Sequence, residues 1–143
     1  LISAIAASIA LPAVFRPVVR DGLTLVDGSV YNPVPYDLLQ GAADIIIAID
    51  VVGMPHGGAG NTPSTVDVLF GAAQLMMRSI INAKLEISRP DIFLRPPVGR
   101  IRVLDFLKIE TIMQETAPIK NELKRALDKV ITEKISGRPP AEE

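Results

Sequence analysis

Asp27 and Gly28 end the segment VVRDGLTLVDG, and an aspartate fixed at a strand end can serve as a general base. The plain reading of the same pair is a turn, because Asp-Gly is a common turn dipeptide. Asp50 closes the apolar run IIIAID, and open α/β sheets place their sites at such carboxyl ends of strands. It ranks second to Asp27. His56 is the only histidine, and no triad-type partner lies near it in sequence, which favours an inert surface role. Gly57-Gly58-Ala59-Gly60 could cradle an anion with its backbone amides. It matches neither G-x-G-x-x-G nor G-x-x-x-x-G-K-[ST], so a surface loop is the better reading. Met76-Met77 reads as core packing. None of the serines (Ser3, Ser8, Ser29, Ser64, Ser79, Ser88, Ser136) has glycines at both −2 and +2. A G-x-S-x-G nucleophile elbow is therefore absent from this sequence.

These residues need a scaffold. Residues 2–10 (ISAIAASIA) predict a short buried helix that Pro12 and Pro17 terminate. Asp21-Gly22 predicts a hairpin between strands at 18–20 and 24–26, and Asp27-Gly28 forms a second turn. Pro33 and Pro35 keep residues 30–35 extended, and a short helix over 35–41 stops at Gly41. Residues 45–52 form a continuous β-branched run, which predicts a strand buried on both faces of a parallel sheet. Ser64 and Asp67 have capping-box spacing, and a helix is expected from there to about Leu85. Its apolar residues lie nearly all round, the pattern of a helix covered by its neighbours. A strand over 91–95 and helices over 105–115 and 117–135 complete the chain. The second of these helices carries Ile119, Leu123, Leu127, Val130 and Ile131 on one face. Residues 137–143 (GRPPAEE) offer nothing larger than Ala to bury and predict a disordered tail. Alternating strands and helices indicate the α/β class with a mainly parallel sheet.

Composition narrows the function. The chain of 143 residues is long enough for one domain with a core, built over residues 1–136. Its 15 cationic and 16 acidic residues balance, and no basic block stands out, so nucleic acid is not an expected partner. There is no cysteine, which excludes disulfides and thiolate metal sites. The apolar run over residues 1–11 lacks the cationic flank of a signal peptide and is too short to span a bilayer. It reads as an internal core segment. The polypeptide is therefore expected to be a fragment, or one domain of something longer.

Residues 4–52, read as one string, resemble the second block of bacterial patatin-like phospholipases. That block combines a small-residue helix A-x-x-A-S-x-x-x-P-x-x-F-x-P, a hairpin, V-D-G-G or V-D-G-A, N-x-P, and a buried strand A-D-x-x-I-A-V-D. The corresponding residues are Ala7, Ser8, Pro12, Phe15, Pro17, Val26, Asp27, Gly28, Asn32, Pro33, Pro35, Ala43, Asp44, Ile47, Ala48 and Asp50. RPDIFLRPPV and DFLKIETIMQETAPIKNEL resemble the family's C-terminal strand and helices, which extends the resemblance to about residue 131. Ser29 departs from the family's Gly or Ala at the third motif position, with a small side chain.

The resemblance implies the C-terminal part of a patatin-like catalytic domain, a three-layer α/β/α fold with a mainly parallel central sheet. It also implies a Ser-Asp dyad that hydrolyses lipid esters without metal or cofactor. Asp27 would be the general base, supported by Gly28, Ser29 and Asn32, with Gly28 allowing the sharp departure of the chain that aims the carboxylate. The serine and the oxyanion loop belong to the family's N-terminal half, which becomes the expected partner alongside a lipid or other acyl ester. A non-catalytic interaction or regulatory domain on the same fold is the alternative. A cytoplasmic location with peripheral membrane contact, and a twofold homo-oligomer for the 143 residues alone, complete the expectations.

Overall fold

The computed structural model describes residues 1–55, 62–98, 101 and 107–136. His56, the Gly57–Gly60 run and the 137–143 tail lie outside them, as do residues 105–106 at the start of an expected helix. Helix α1 (Ile2–Ser8) forms where small residues cluster, and a turn leads past Pro12 into the strands. Strands β1 (Val18–Arg20) and β2 (Leu23–Leu25) pair antiparallel, with Val18 opposite Leu25 and Arg20 opposite Leu23. The hairpin closes on Asp21 and Gly22, both at positive φ (52° and 77°). This double left-handed turn matches the twist of the strands, and Asp-Gly is the pair that tolerates it.

Two 3₁₀ turns follow, Gly28–Val30 and Tyr36–Leu39. The second is the short helix expected over 35–41, in 3₁₀ rather than α geometry, and Gly41 follows it at φ 76°. Strand β3 (Ile47–Ile49) then leads to helix α2 (Thr65–Ile87), which returns the chain to strand β4 (Ile92–Leu94). β3 and β4 pair in parallel, Ile47 with Ile92 and Ile49 with Leu94. A parallel pair needs such a crossover, and this one is a β-α-β unit. The Ser64 hydroxyl accepts the Asp67 N–H, and the Asp67 carboxylate accepts the Ser64 N–H, so α2 starts on a complete capping box. Helices α3 (Ile109–Thr116) and α4 (Ile119–Ser136) end the described chain, and α4 packs on β4. The architecture is mixed α/β, with one parallel pair and one antiparallel hairpin among the described residues.

Three burial expectations are corrected. α1 is not a buried helix: Ala7 is its buried residue, whereas Leu1, Ile2 and Ile5 are exposed. β3 is not buried on both faces. Ile46, Ala48 and Asp50 are buried, but Ile47 and Ile49 between them are 37% and 45% exposed. Tyr36, Val34, Leu85 and Phe93 cover one face only. α2 is not wrapped by neighbours either: Gly71 and Ile81 are buried, whereas Val66, Val68, Leu69, Leu75 and Met76 are exposed. An all-apolar pattern reports what a surface could bury, and the packing within this chain covers only part of it. No helix among the described residues is long and apolar enough to cross a membrane.

Candidate functional site

The turn after β2 is built on Asp27. Its backbone N–H donates to the Ala10 carbonyl (3.0 Å), which ties the turn to the end of α1. Its Oδ1 accepts the Ser29 N–H (2.8 Å), an N-cap for the Gly28–Val30 turn. The Gly28 carbonyl accepts both the Tyr31 N–H (3.1 Å) and the Asn32 N–H (2.9 Å). Asp27 is half-buried. Among the described residues, its Oδ2 receives no hydrogen bond and no cation pairs with it.

The neighbouring aspartates differ on this point. The Asp50 side chain is 1% exposed; its Oδ1 accepts the Val52 N–H (2.9 Å) and its Oδ2 the Arg95 Nε–H (2.6 Å). Asp91 accepts the Ile46 N–H (2.7 Å) and pairs with Lys134 (2.9 Å). These two donors hold its carboxyl below the usual carboxylate range, the Ile46 amide first. Asp37 is hydrogen-bonded by Lys84 and by both the 3.3 and 3.2 Å contacts from Asn32 Nδ2. Lys84 is the main cause of its lowered pKa. Both carboxylate oxygens of Asp37, Asp50 and Asp91 thus carry protein donors. Asp27 keeps one oxygen without a donor among the described residues, and a proton acceptor requires such an oxygen.

The sequence-derived site residues divide accordingly. Asp27, Gly28 and Ser29 share one turn, but Ser29 acts through its backbone N–H, so its hydroxyl is not needed there. Gly28 opens the 3₁₀ turn that follows Asp27, without positive φ, and a Cβ there would meet nothing within 4 Å. Asn32 is joined to Asp37 and Lys84 rather than to Asp27 directly. Asp50 is a structural ion pair at the end of β3, held across the parallel pair by Arg95. Lys84, Asp37 and Asp91 were not singled out by the sequence; a lysine beside Ile80, Ile81 and Leu85 on a mostly apolar helix was the available signal for the first. An open cavity of about 320 Å³ lies between β4 and α4, bordered by Phe93, Glu122, Lys129 and Glu133, and Asp27 does not line it. No three Asp, Glu or His side chains group to hold a metal ion among the described residues.

The segments beyond Leu39, whose motifs extend the family resemblance to about residue 131, lie outside the match found by comparison with family models. That match falls at the N-terminal end of this chain, on α1, the hairpin and the Asp27 turn. There, over residues 1–39, the chain matches the model of the patatin-like phospholipase family.

Proposed function

We propose that this chain supplies the general base of a lipid acyl hydrolase, with Asp27 as the proton acceptor of a Ser-Asp dyad. The nucleophilic serine and the oxyanion donors come from polypeptide beyond these 143 residues. The serine hydroxyl attacks the ester carbonyl as its proton passes to Asp27 Oδ2, and oxyanion donors hold the negative charge that develops on the carbonyl oxygen. The tetrahedral intermediate collapses, the leaving alcohol takes the proton from Asp27, and an acyl-serine remains. Water then attacks the acyl-serine, with Asp27 accepting its proton and returning it to the departing serine oxygen.

The observation that carries this reading is the asymmetric hydrogen bonding of Asp27. Its Oδ1 is fixed by the Ser29 N–H at 2.8 Å, while Oδ2 has no donor among the described residues. The first bond sets the direction of the carboxylate, and the second oxygen is left to take a proton. The match over residues 1–39 supports a lipid acyl hydrolase family. The test is Asp27→Asn in the enzyme that includes the serine. Asn keeps the shape and the Oδ1 acceptor but has no carboxylate to take the proton. Ester turnover should vanish while the circular dichroism spectrum is unchanged; normal turnover in a folded variant would reduce Asp27 to a turn residue.

A further inference from the structure

Lys84 sits in α2 with its side chain only 18% exposed. Burying a lysine costs rotamer freedom and hydration, so its ammonium must find partners. It finds three, one for each N–H: the Asn32 Oδ1, the Val34 carbonyl (3.0 Å) and the Asp37 carboxylate. The ammonium also lies 4.8 Å from the centre of the Tyr36 ring, whose hydroxyl donates to the Ser88 carbonyl at the end of α2 (2.7 Å). All these partners lie between residues 32 and 37. Within that stretch Val34 has φ 51°, a conformation a β-branched residue keeps only where its surroundings impose it.

The same stretch is joined to the base. Asn32, whose side chain accepts from Lys84, donates its backbone N–H to the Gly28 carbonyl at 2.9 Å. Gly28 follows Asp27, and the Val30 N–H closes the turn on the Asp27 carbonyl at 3.2 Å. α2 itself packs against the Gly28–Val30 turn. We propose that Lys84 is a positioning residue for Asp27, fixing the orientation of the carboxylate through Asn32 and the Gly28 carbonyl. This rests on the reading of Asp27 as proton acceptor. Lys84 touches no reacting atom. It makes the direction of the base depend on a helix residue that lies 52 positions beyond Asn32 in the chain. Arginine would not replace it, because a planar guanidinium cannot direct three donors into a converging set of acceptors.

Two measurements test this separately. On the protein itself, the amide resonance of Ser29 reports its hydrogen bond to Asp27. Lys84→Met should shift that resonance and speed its hydrogen exchange, and Asn32→Ala should do the same. An unmoved Ser29 amide in either folded variant would overturn the coupling, whatever Asp27 does in catalysis. In the enzyme that includes the serine, each variant should lower kcat by about 10- to 100-fold through misplacement of the base, with KM within about twofold. Lys84→Met combined with Asn32→Ala should be no worse than either alone, since both cut one linkage. Multiplying losses, or a normal kcat in either single variant while Asp27→Asn is dead, would overturn the positioning role. If Lys84→Met does not fold, Asn32→Ala alone decides by the same two readouts. If Asp27→Asn keeps its turnover, the base reading fails, and the Ser29 amide still decides whether Lys84 orients the turn.

Discussion

Replacing Arg95 with Met should destabilise the protein by about 3 kcal/mol, and the figure follows from how Asp50 is held. The Asp50 side chain is 1% exposed, and the Arg95 Nε–H at 2.6 Å is one of its two donors. Losing a hydrogen bond to a charged group costs about 1.5–3 kcal/mol. Stranding one member of a fully buried ion pair costs about 3–5 kcal/mol. Arg95 is 36% exposed, so water can approach the vacated position, and Asp50 keeps the Val52 N–H at 2.9 Å. Both features favour the lower end of that range. The guanidinium also lies 5.2 Å from the Phe93 ring centre, a stacking contact of roughly 0.5 kcal/mol at a partly exposed site. Met retains the apolar stem and removes only the head group. Urea unfolding followed by far-ultraviolet circular dichroism measures the loss. Repeating the substitution in an Asp50→Asn background, where no carboxylate is stranded, should reduce its cost to below about 1 kcal/mol. A cost under about 0.5 kcal/mol in the single variant, or full additivity in the double, would refute the account of Asp50 as one half of a buried structural pair.

Other perturbations probe the turn and its surroundings. Ser29→Ala should leave stability and the Asp27 hydrogen bond intact, since the donor is the backbone N–H; Ser29→Pro removes that donor and should lower stability by about 0.5–2 kcal/mol, the cost of a lost N-cap, and an unchanged unfolding midpoint would contradict the cap. Gly28→Ala should leave stability unchanged or raise it by up to about 1 kcal/mol, because a Cβ there meets nothing within 4 Å and the position lacks positive φ; a loss of more than about 1 kcal/mol would contradict the open space. Asp37 and Asp91 both have folded-state pKa values below the ordinary carboxylate value of about 4. Their contribution to stability is therefore complete above that value and is lost as pH falls through the lower folded-state values. Denaturant midpoints should drop on acidification below about pH 4, less steeply in Asp91→Asn; an unchanged slope in that variant would contradict the role of the Ile46 and Lys134 donors. The 143 residues alone should show no esterase activity above an Asp27→Ala control. They should also self-associate through the exposed Ile2, Ile5, Ile47 and Ile49, and light scattering that found a monodisperse folded monomer would refute this.

Local chemistry was the legible part of the sequence. Asp21-Gly22 announced the hairpin because few other pairs accept two positive φ values, and Ser64 with Asp67 announced the start of α2 by side-chain reach alone. The β-α-β crossover followed from a β-branched run, a long helix and a second short strand in succession. Burial was less legible. Ile47 and Ile49 have the composition of core residues, but exposure depends on what other segments cover, and in this chain one face of β3 is covered. Long-range polar pairing was not legible at all. Lys84 meets Asn32 and Arg95 meets Asp50 across 52 and 45 residues, and no periodicity encodes such a meeting. At Asp27 the dipeptide revealed the turn, whereas an Oδ2 without a donor among the described residues emerged only from the hydrogen bonds of the folded chain.

The rate of acyl-enzyme formation tests the central claim most directly, since only the attack step needs a proton taken from the serine. A single-turnover measurement with a p-nitrophenyl ester, on the enzyme that includes the serine, follows that step as the release of p-nitrophenolate. Removing a general base lowers a rate by about 10²–10⁴-fold, so Asp27→Asn should slow the burst by that factor with an unchanged unfolding midpoint. A burst within about threefold of the unsubstituted enzyme, in a variant of equal stability, would show that the serine gives its proton to some group other than Asp27.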